Sequence, residues 1–286
     1  MTTWLDTHHH FDFLDGLALR RAMLAALPET VRLVAQTLLP SDFFRLHGQA
    51  GELDLGTPRP PLWSVGLHPW WVASASQVRD ELELMASALE RTRFVGEIGL
   101  DHTPRRLEQA PEALQRKSLD GVLELACAAA PRWESQGPVV LSIHAVRSAG
   151  AVLDALEGHD AQARGVVAVF HRFGGTSDEL ARLLRMGGHV SVHPAMVETR
   201  RGRGTIRQVP DDRLLLETDL PTAPVAAGEC VEVAGRRAAE AVCRGLSSVL
   251  EALVELRGPG LVREIERTQA RLYGLVEPAS SGAAGA

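Results

Sequence analysis

The hydrophobic pattern of the chain alternates between two periods. Short runs rich in Val, Leu and Ile recur eight times, at Trp4–Thr7, Val31–Leu38, Leu62–Leu67, Arg93–Ile98, Val139–Ile143, Val166–Phe170, His189–His193 and Arg213–Thr218. Several are almost wholly apolar, such as PVVLSI, GVVAVF and RLLLET, as expected of strands buried on both faces of a parallel sheet. Between them apolar residues return at helical spacing: Val78, Leu82, Met85 and Leu89 in one segment, Leu119, Val122, Leu123 and Ala126 in another. Thr176 and Glu179 have capping-box spacing ahead of LARLLRMG, and Gly187 stands where a helix C-cap glycine belongs. Gly235–Glu255 and Leu261–Leu272 read as two closing helices.

Eight such βα repeats predict an α/β fold, a (β/α)8 TIM-type barrel in a single domain over residues 1–275, with a flexible C-terminal tail at 276–286. An open doubly wound sheet would want a glycine-rich phosphate loop after the first strand, and none is there. Gly56–Pro61 reads as a proline-rich loop into the third strand.

Composition narrows the picture. With 45% apolar residues the 286-residue chain can build a large core, which excludes wholesale disorder. No run of 18 apolar residues offers a membrane span. The opening MTTWLDTHHH lacks the basic and then apolar order of an export signal, so a cytoplasmic protein is expected. Cys127, Cys230 and Cys243 have no CxxC spacing and fit free thiols in a reducing compartment. The formal charge of −6 argues against a protein that coats DNA non-specifically, and leaves nucleic acid only a local basic patch or bound metal ions.

The candidate chemistry gathers at strand ends. His8 and His10 follow strand one, His68 strand three, Glu97 and Asp101 strand four, His144 strand five, His171 strand six and Asp219 strand eight. In a barrel these ends converge on one face, where barrel enzymes place their sites. His8 and His10 share one side of an extended strand, a geometry suited to two ligands of one ion, while His9 points away into packing. Each residue also has a plain reading: a hydrogen-bonded core histidine, a carboxylate paired with arginine, a capped turn. Together, four histidines and two carboxylates are costly to bury without a compensating cation, and a divalent pair supplies it. Nitrogen and oxygen donors without thiolate suit zinc, manganese or iron, substrate phosphates can complete a magnesium site, and the chemistry that follows is hydrolysis.

Six segments occur in order: DTHHHFDF (Asp6–Phe13), VGLHPWW (Val65–Trp71), VGEIGLD (Val95–Asp101), SIHAVRSA (Ser142–Ala149), FHRFGGT (Phe170–Thr176) and LLLETDLP (Leu214–Pro221). They resemble the motif series of TatD-type metal-dependent deoxyribonucleases of the amidohydrolase superfamily. DHTPRR (Asp101–Arg106) and HVSVHPAMVETRRGR (His189–Arg203) resemble the branch found in Qat anti-phage systems. The resemblance implies that His8, His10, Glu97 and Asp219 bind one metal ion and His144 and His171 the second, with Glu97 bridging. Glu97 and Asp219 would be catalytic, Asp219 orienting or deprotonating the attacking water. His68 would donate to a phosphate oxygen or brace the Pro-containing turn, and Asp101 and Glu217 would orient ligands. The implied substrate is DNA, single-stranded or at 3′ ends, trimmed in the 3′–5′ direction.

Four departures bear on substrate grip. Val146 stands where the family commonly has arginine, with Arg147 next to it; HRFGG replaces HxFSG; Val122 replaces the second glutamine of a helix that keeps Gln115; and no RNEP-like segment follows strand eight. Candidate phosphate contacts are Arg200, Arg201, Arg203 and Arg207 on a basic loop after strand seven, with Arg105, Arg106, Arg147 and Arg172 adding to them; Trp70 and Trp71 can stack on a base or cover the rim. Two other functions fit the same residues. One is a small-molecule metallohydrolase, favoured by the acidic charge; the other is a conditionally active subunit of a defence complex, favoured by the altered HRFGG and HAVR segments.

Overall fold

The structure, a computed structural model, describes residues 3–53, 60–226, 228 and 230–275. The expected tail at 276–286 and most of the Gly56–Pro61 loop lie outside the described residues. The strands are β1 (Trp4–His9), β2 (Val31–Ala35), β3 (Leu62–Leu67) and β4 (Phe94–Asp101). They continue as β5 (Val139–Val146), β6 (Val166–His171), β7 (His189–Val192) and β8 (Leu214–Leu216). All neighbours pair in parallel in the order β1 to β8, giving the eight-stranded wall of the expected barrel.

Helices cover its outside: α1 (Gly16–Ala26), α2 (Pro40–Gly48), α3 (Ala50–Leu53), α4 (Ala75–Ala88), α5 (Pro104–Gln109) and α6 (Glu112–Trp133). The second half carries α7 (Ala149–Gly158), α8 (Ser177–Arg185), α9 (Pro194–Glu198), α10 (Arg200–Gln208), α11 (Val231–Arg257) and α12 (Leu261–Tyr273). Thr176 and Glu179 form the capping box of α8, and Gly187 takes the left-handed φ of 71° just past its end. None of the described helices is long and apolar enough to cross a membrane.

Two cores hold the barrel. The larger lies between wall and helices, around Phe11, Met23, Phe43 and Phe170. The smaller is built from Leu5, Val34, Phe94, Val140, Val169 and Leu215, together with Leu272 and Tyr273 at the end of α12. Tyr273 stacks on Phe94 with ring centroids 5.5 Å apart. Gln269 accepts from the Leu5 backbone N–H at 2.6 Å, and Arg93 donates to the Leu272 carbonyl at 2.6 Å. Apolar packing thus plugs the N-terminal end of the barrel, and the C-terminal end stays available for chemistry.

No ladder joins β8 to β1 among the described residues, because regular pairing of β8 stops at Leu216. The seam is closed instead by polar contacts. Asp6 accepts from the Thr218 N–H at 2.9 Å and the Thr218 hydroxyl at 2.5 Å, Asp219 N–H donates to the His8 carbonyl at 3.0 Å, and His10 N–H to the Leu220 carbonyl at 2.8 Å. The strand expected at Arg213–Thr218 is therefore shorter than its apolar run suggests, and Asp219 lies in an irregular segment stitched to β1.

Candidate metal centre at the mouth of the barrel

Two irregularities in the wall aim the central side chains. Register slips between Asp6 and His9 of β1, and between Val95 and Ile98 of β4. Such bulges redirect a side chain. At β4 the cause is a close approach: Thr37 and the β4 backbone exchange hydrogen bonds, Thr37 N–H to the Gly96 carbonyl (3.1 Å) and Glu97 N–H to the Thr37 carbonyl (2.9 Å). A Cβ on Gly96 would fall 2.7 Å from the Ser142 Cβ and 2.3 Å from Gln36 Oε1, so glycine is required here. Glu97 is thus positioned mid-strand, four residues before β4 ends.

The two oxygens of the buried Glu97 carboxylate face two groups of imidazoles. Oε2 lies 3.4 Å from Nε2 of both His8 and His10, and Asp219 Oδ1 lies 3.7 and 3.2 Å from the same two nitrogens. Oε1 lies 2.8 Å from His144 Nδ1, 2.9 Å from His171 Nε2 and 3.4 Å from His68 Nε2. Residues spread over more than two hundred positions meet around one carboxylate.

Charge compensation is visible throughout. Burial opposes ionisation of Glu97, but His68, His171 and His8 outweigh it and hold its pKa well below the usual carboxylate range. Asp219 is likewise lowered against burial, chiefly by His10. Burial also opposes the charge on His144 and His171, yet Asp101 and Glu97 raise the first, and Glu97 and Glu217 the second. His8, fully buried and beside His171, is pushed down to about 4. His68 falls to about 4 through burial.

Hydrogen bonds settle which nitrogens are free. His8 Nδ1 is 2.8 Å from the Ser142 hydroxyl, while its buried Nε2 has no hydrogen-bond partner. An Nδ1–H donated to serine leaves the Nε2 lone pair directed at the cluster, the arrangement of an oriented metal ligand. His68 is the opposite case. Its Nδ1 accepts from the Trp70 backbone N–H at 3.1 Å, so in the neutral ring the proton sits on Nε2 and points toward Glu97. His68 therefore braces the turn at Pro69–Trp71 and points its other nitrogen at Glu97.

Asp101 Oδ2 accepts from Trp70 Nε1 at 2.7 Å and lies 3.3 Å from His144 Nε2, so it orients both rings. Gln115 fixes it from behind, accepting from the Asp101 N–H at 2.8 Å and donating to the Asp101 carbonyl at 3.0 Å. Glu217 lies beneath His171, 3.7 Å from its Nδ1, and accepts from the Arg172 backbone N–H at 3.1 Å. Arg172 Nη1 donates to Asp219 Oδ2 at 2.9 Å. Three of the described non-glycine residues with left-handed backbone, Arg147 (φ 58°), Arg172 (φ 46°) and Asp219 (φ 57°), belong to this mouth; such conformations persist where surrounding contacts enforce them.

A cavity of about 710 Å³ opens above the cluster. Its floor includes His10, His68, Glu97, His144, His171 and Asp219, and its sides include Phe13, Trp70, Trp71, Val146, Arg147 and Arg172. Trp70 is held edge-on by Asp101 and covered by the Arg106 guanidinium, 3.9 Å from its ring centroid. The segment after β7, expected as a basic loop, folds as α9 and α10 with Thr199 capping α10. Arg200 and Arg201 line a separate cavity beside the first, and Arg203 donates Nε to the Val197 carbonyl at 2.5 Å. Neither Ser142 nor His193 was expected in the site. Ser142 shares a strand face with His144 two residues on, a period that points to it. His193 caps α9 by accepting from Ala195 N–H, and burial together with Arg172 lowers it to about 4; its sequence carries no comparable signal.

The donor set fits divalent ions: buried imidazole and carboxylate atoms lie within 4.8 Å of one another in three groups, and His8 Nε2, facing Glu97 and Asp219, lacks a hydrogen-bond partner. A parallel barrel carrying such a cluster at its C-terminal mouth defines a metal-binding hydrolase barrel. Residues 5–271 match the family described as TatD related DNase, and the chain belongs to that family. It is 33% identical over 166 residues to the 3′-5′ ssDNA/RNA exonuclease TatD of Dickeya dadantii, covering 55% of this chain and 56% of that one. It is 29% identical over 128 residues to the deoxyribonuclease Tat-D of Schizosaccharomyces pombe, covering 44% and 37%. The chain thus spans about half or less of the length of these curated relatives. A solved TatD homologue from Escherichia coli K12 superposes with a TM-score of 0.71 at 25% identity, over 96% of this chain and 98% of that one. A TatD-family hydrolase from Entamoeba histolytica shares the fold at 16% identity and a TM-score of 0.69.

Proposed function

We propose that this protein is a metal-dependent nuclease that hydrolyses DNA phosphodiesters at the mouth of its barrel, removing nucleotides from the 3′ ends of single strands. The observation that carries the reading is Glu97, whose two carboxylate oxygens each face a different set of histidines. His8, His10 and Asp219 would hold one divalent ion, His144 and His171 the other, and Glu97 would bridge them. Zinc, manganese or magnesium bound there polarises phosphoryl oxygens and eases loss of a proton from water.

The chain's own groups do the rest. Asp219 accepts the proton of the attacking water. The Nε2–H of His68 donates to a phosphate oxygen. Arg172 and Arg147, on the cavity wall, neutralise the developing charge, and Trp71 and Val146 offer an apolar surface to the terminal base. The Dickeya relative, a 3′-5′ ssDNA/RNA exonuclease by name, supports this substrate class and polarity. The likeness of DHTPRR and HVSVHPAMVETRRGR to the Qat branch supports an anti-phage role in the cytoplasm, beside partner proteins of that system.

A 5′-labelled single-stranded oligonucleotide tests the reading. Metal-loaded protein should shorten it stepwise from the 3′ end, and Glu97→Ala should abolish turnover and lower metal content together. Inert DNA beside robust turnover of a small ester or lactone would overturn it.

A further inference from the structure

The loop after β6 separates two cavities. Arg172 and Gly174 line the one above the histidines, and the next two residues, Gly175 and Thr176, line a second of about 560 Å³ between α8 and α10. The far wall of the second cavity is α10, where four arginines stand with no acidic residue between Arg200 and Gln208. Arg201 is committed to the loop, donating Nη2 to the carbonyls of Gly174 (2.6 Å) and Gly175 (3.1 Å). Exposed Arg200 also lines the second cavity, and no described residue bonds its guanidinium.

Four glycines lie along this path. Gly175 and Gly202 are demanded by packing, since a Cβ would fall 2.6 Å from the Phe173 ring and 2.2 Å from the Met196 carbonyl oxygen. Gly174 and Gly204 are not. A Cβ on Gly174 would meet nothing nearer than the Arg172 carbonyl oxygen at 3.9 Å, and one on Gly204 nothing within 4 Å; neither has a left-handed backbone. Gly204 also lies inside α10, where glycine weakens a helix relative to alanine. Without side chains at these two positions, the backbone between the cavities is open to close approach of a ligand. These two stand one on the wall of each cavity.

We propose that the two cavities form one track. The nucleic-acid strand whose end lies at the histidine cluster continues over Gly174 into the groove between α8 and α10, where Arg200 holds one of its phosphates and Gly204, without a side chain, leaves room for it. The inference rests on the nuclease reading and specifies the course of the bound strand. Arg172 and Gly175 are three peptide steps apart, at most ~11 Å. A strand rising ~3.4 Å per nucleotide covers that span in about three nucleotides. Arginine suits the site because its fork can chelate two phosphate oxygens.

Binding tests the track without turnover. The affinity of a labelled oligothymidylate of about 12 nucleotides, within the ~4–16 usual for a single-strand site, is measured by fluorescence anisotropy in chelator. Arg200→Ala should raise Kd about tenfold through loss of one charge-assisted contact, and Gly204→Leu should weaken binding by a similar factor by placing a side chain in the strand's path. The slope of log Kd against log salt should fall by about 0.7 in Arg200→Ala and stay at the wild-type value in Gly204→Leu. Gly204→Leu should also melt at a higher temperature than wild type, because leucine favours the helix, so weaker binding cannot be ascribed to unfolding. Unchanged Kd in both variants, an unchanged salt slope in Arg200→Ala, or no binding by the wild type overturns the track. Wild-type binding that depends on both residues, without hydrolysis when metal is restored, overturns the nuclease reading and leaves the track standing.

Discussion

Arg172 offers a perturbation in which stability and activity should part. Its guanidinium donates to Asp219 Oδ2 at 2.9 Å, but the side chain is 46% exposed, so the ion pair contributes only ~0.2–1 kcal/mol to folding. The residue holds a left-handed φ of 46°, which costs a non-glycine residue roughly 1–2 kcal/mol. Arg172→Gly removes the pair and relieves that strain, at the expense of ~0.5–1 kcal/mol of added freedom in the unfolded chain. It should unfold in urea within about 1 kcal/mol of wild type. Arg172→Ala loses the pair and keeps the strain, and should be the least stable of the three. The backbone N–H bond to Glu217 survives both changes. Activity should fall together in the two variants, because each removes a charged donor from the cavity wall. A charge-assisted contact of ~1.5–3 kcal/mol corresponds to about a tenfold to hundredfold loss in kcat/KM on a single-stranded oligonucleotide. A glycine variant less stable than the alanine variant, or either variant with undiminished kcat/KM, would refute the reasoning.

Gln115→Leu should destabilise the protein by about 2–4 kcal/mol in urea unfolding, since it strands the Asp101 N–H and the carbonyls of Asp101 and Ala110 in a buried setting; a loss under about 1 kcal/mol would show that other partners replace it. His189 supplies a pH test remote from the metal centre. It is buried beside Arg271 and Arg213, and burial first, then those cations, lower its pKa from 6.5 to about 3. Between those values the unfolded chain binds a proton that the folded chain refuses, so this residue makes stability fall as pH drops below 6.5, by up to ~1.4 kcal/mol per pH unit. His189→Gln should flatten the acid side of the stability curve; identical slopes for the two proteins between about pH 6 and 4.5 would contradict the assignment.

The barrel was legible because buried parallel strands leave near-continuous apolar runs, as in PVVLSI and GVVAVF, and these lie where β5 and β6 form. The clustering of the histidines and acids was legible because polar groups placed just after such runs have one common destination in a barrel. The aim of Glu97 was not. Its bulge is held by hydrogen bonds between Thr37 and the Gly96–Glu97 backbone, contacts across strands that no local pattern encodes. The end of β8 was overread for a similar reason, because Thr218 is pulled out of the ladder by Asp6, 212 residues away in sequence. RRGRGTIRQ reads as a loop from its arginines and glycines, yet the Thr199 cap and the burial of Ile206 fold it as a helix.

The central claim, two divalent ions flanking Glu97, is tested most directly by anomalous diffraction from crystals of the protein grown with manganese. The account predicts two peaks, one among His8, His10 and Asp219 beside Glu97 Oε2, the other between His144 and His171 beside Oε1. No peak at the cluster, or a single ion bound without Glu97, would contradict it.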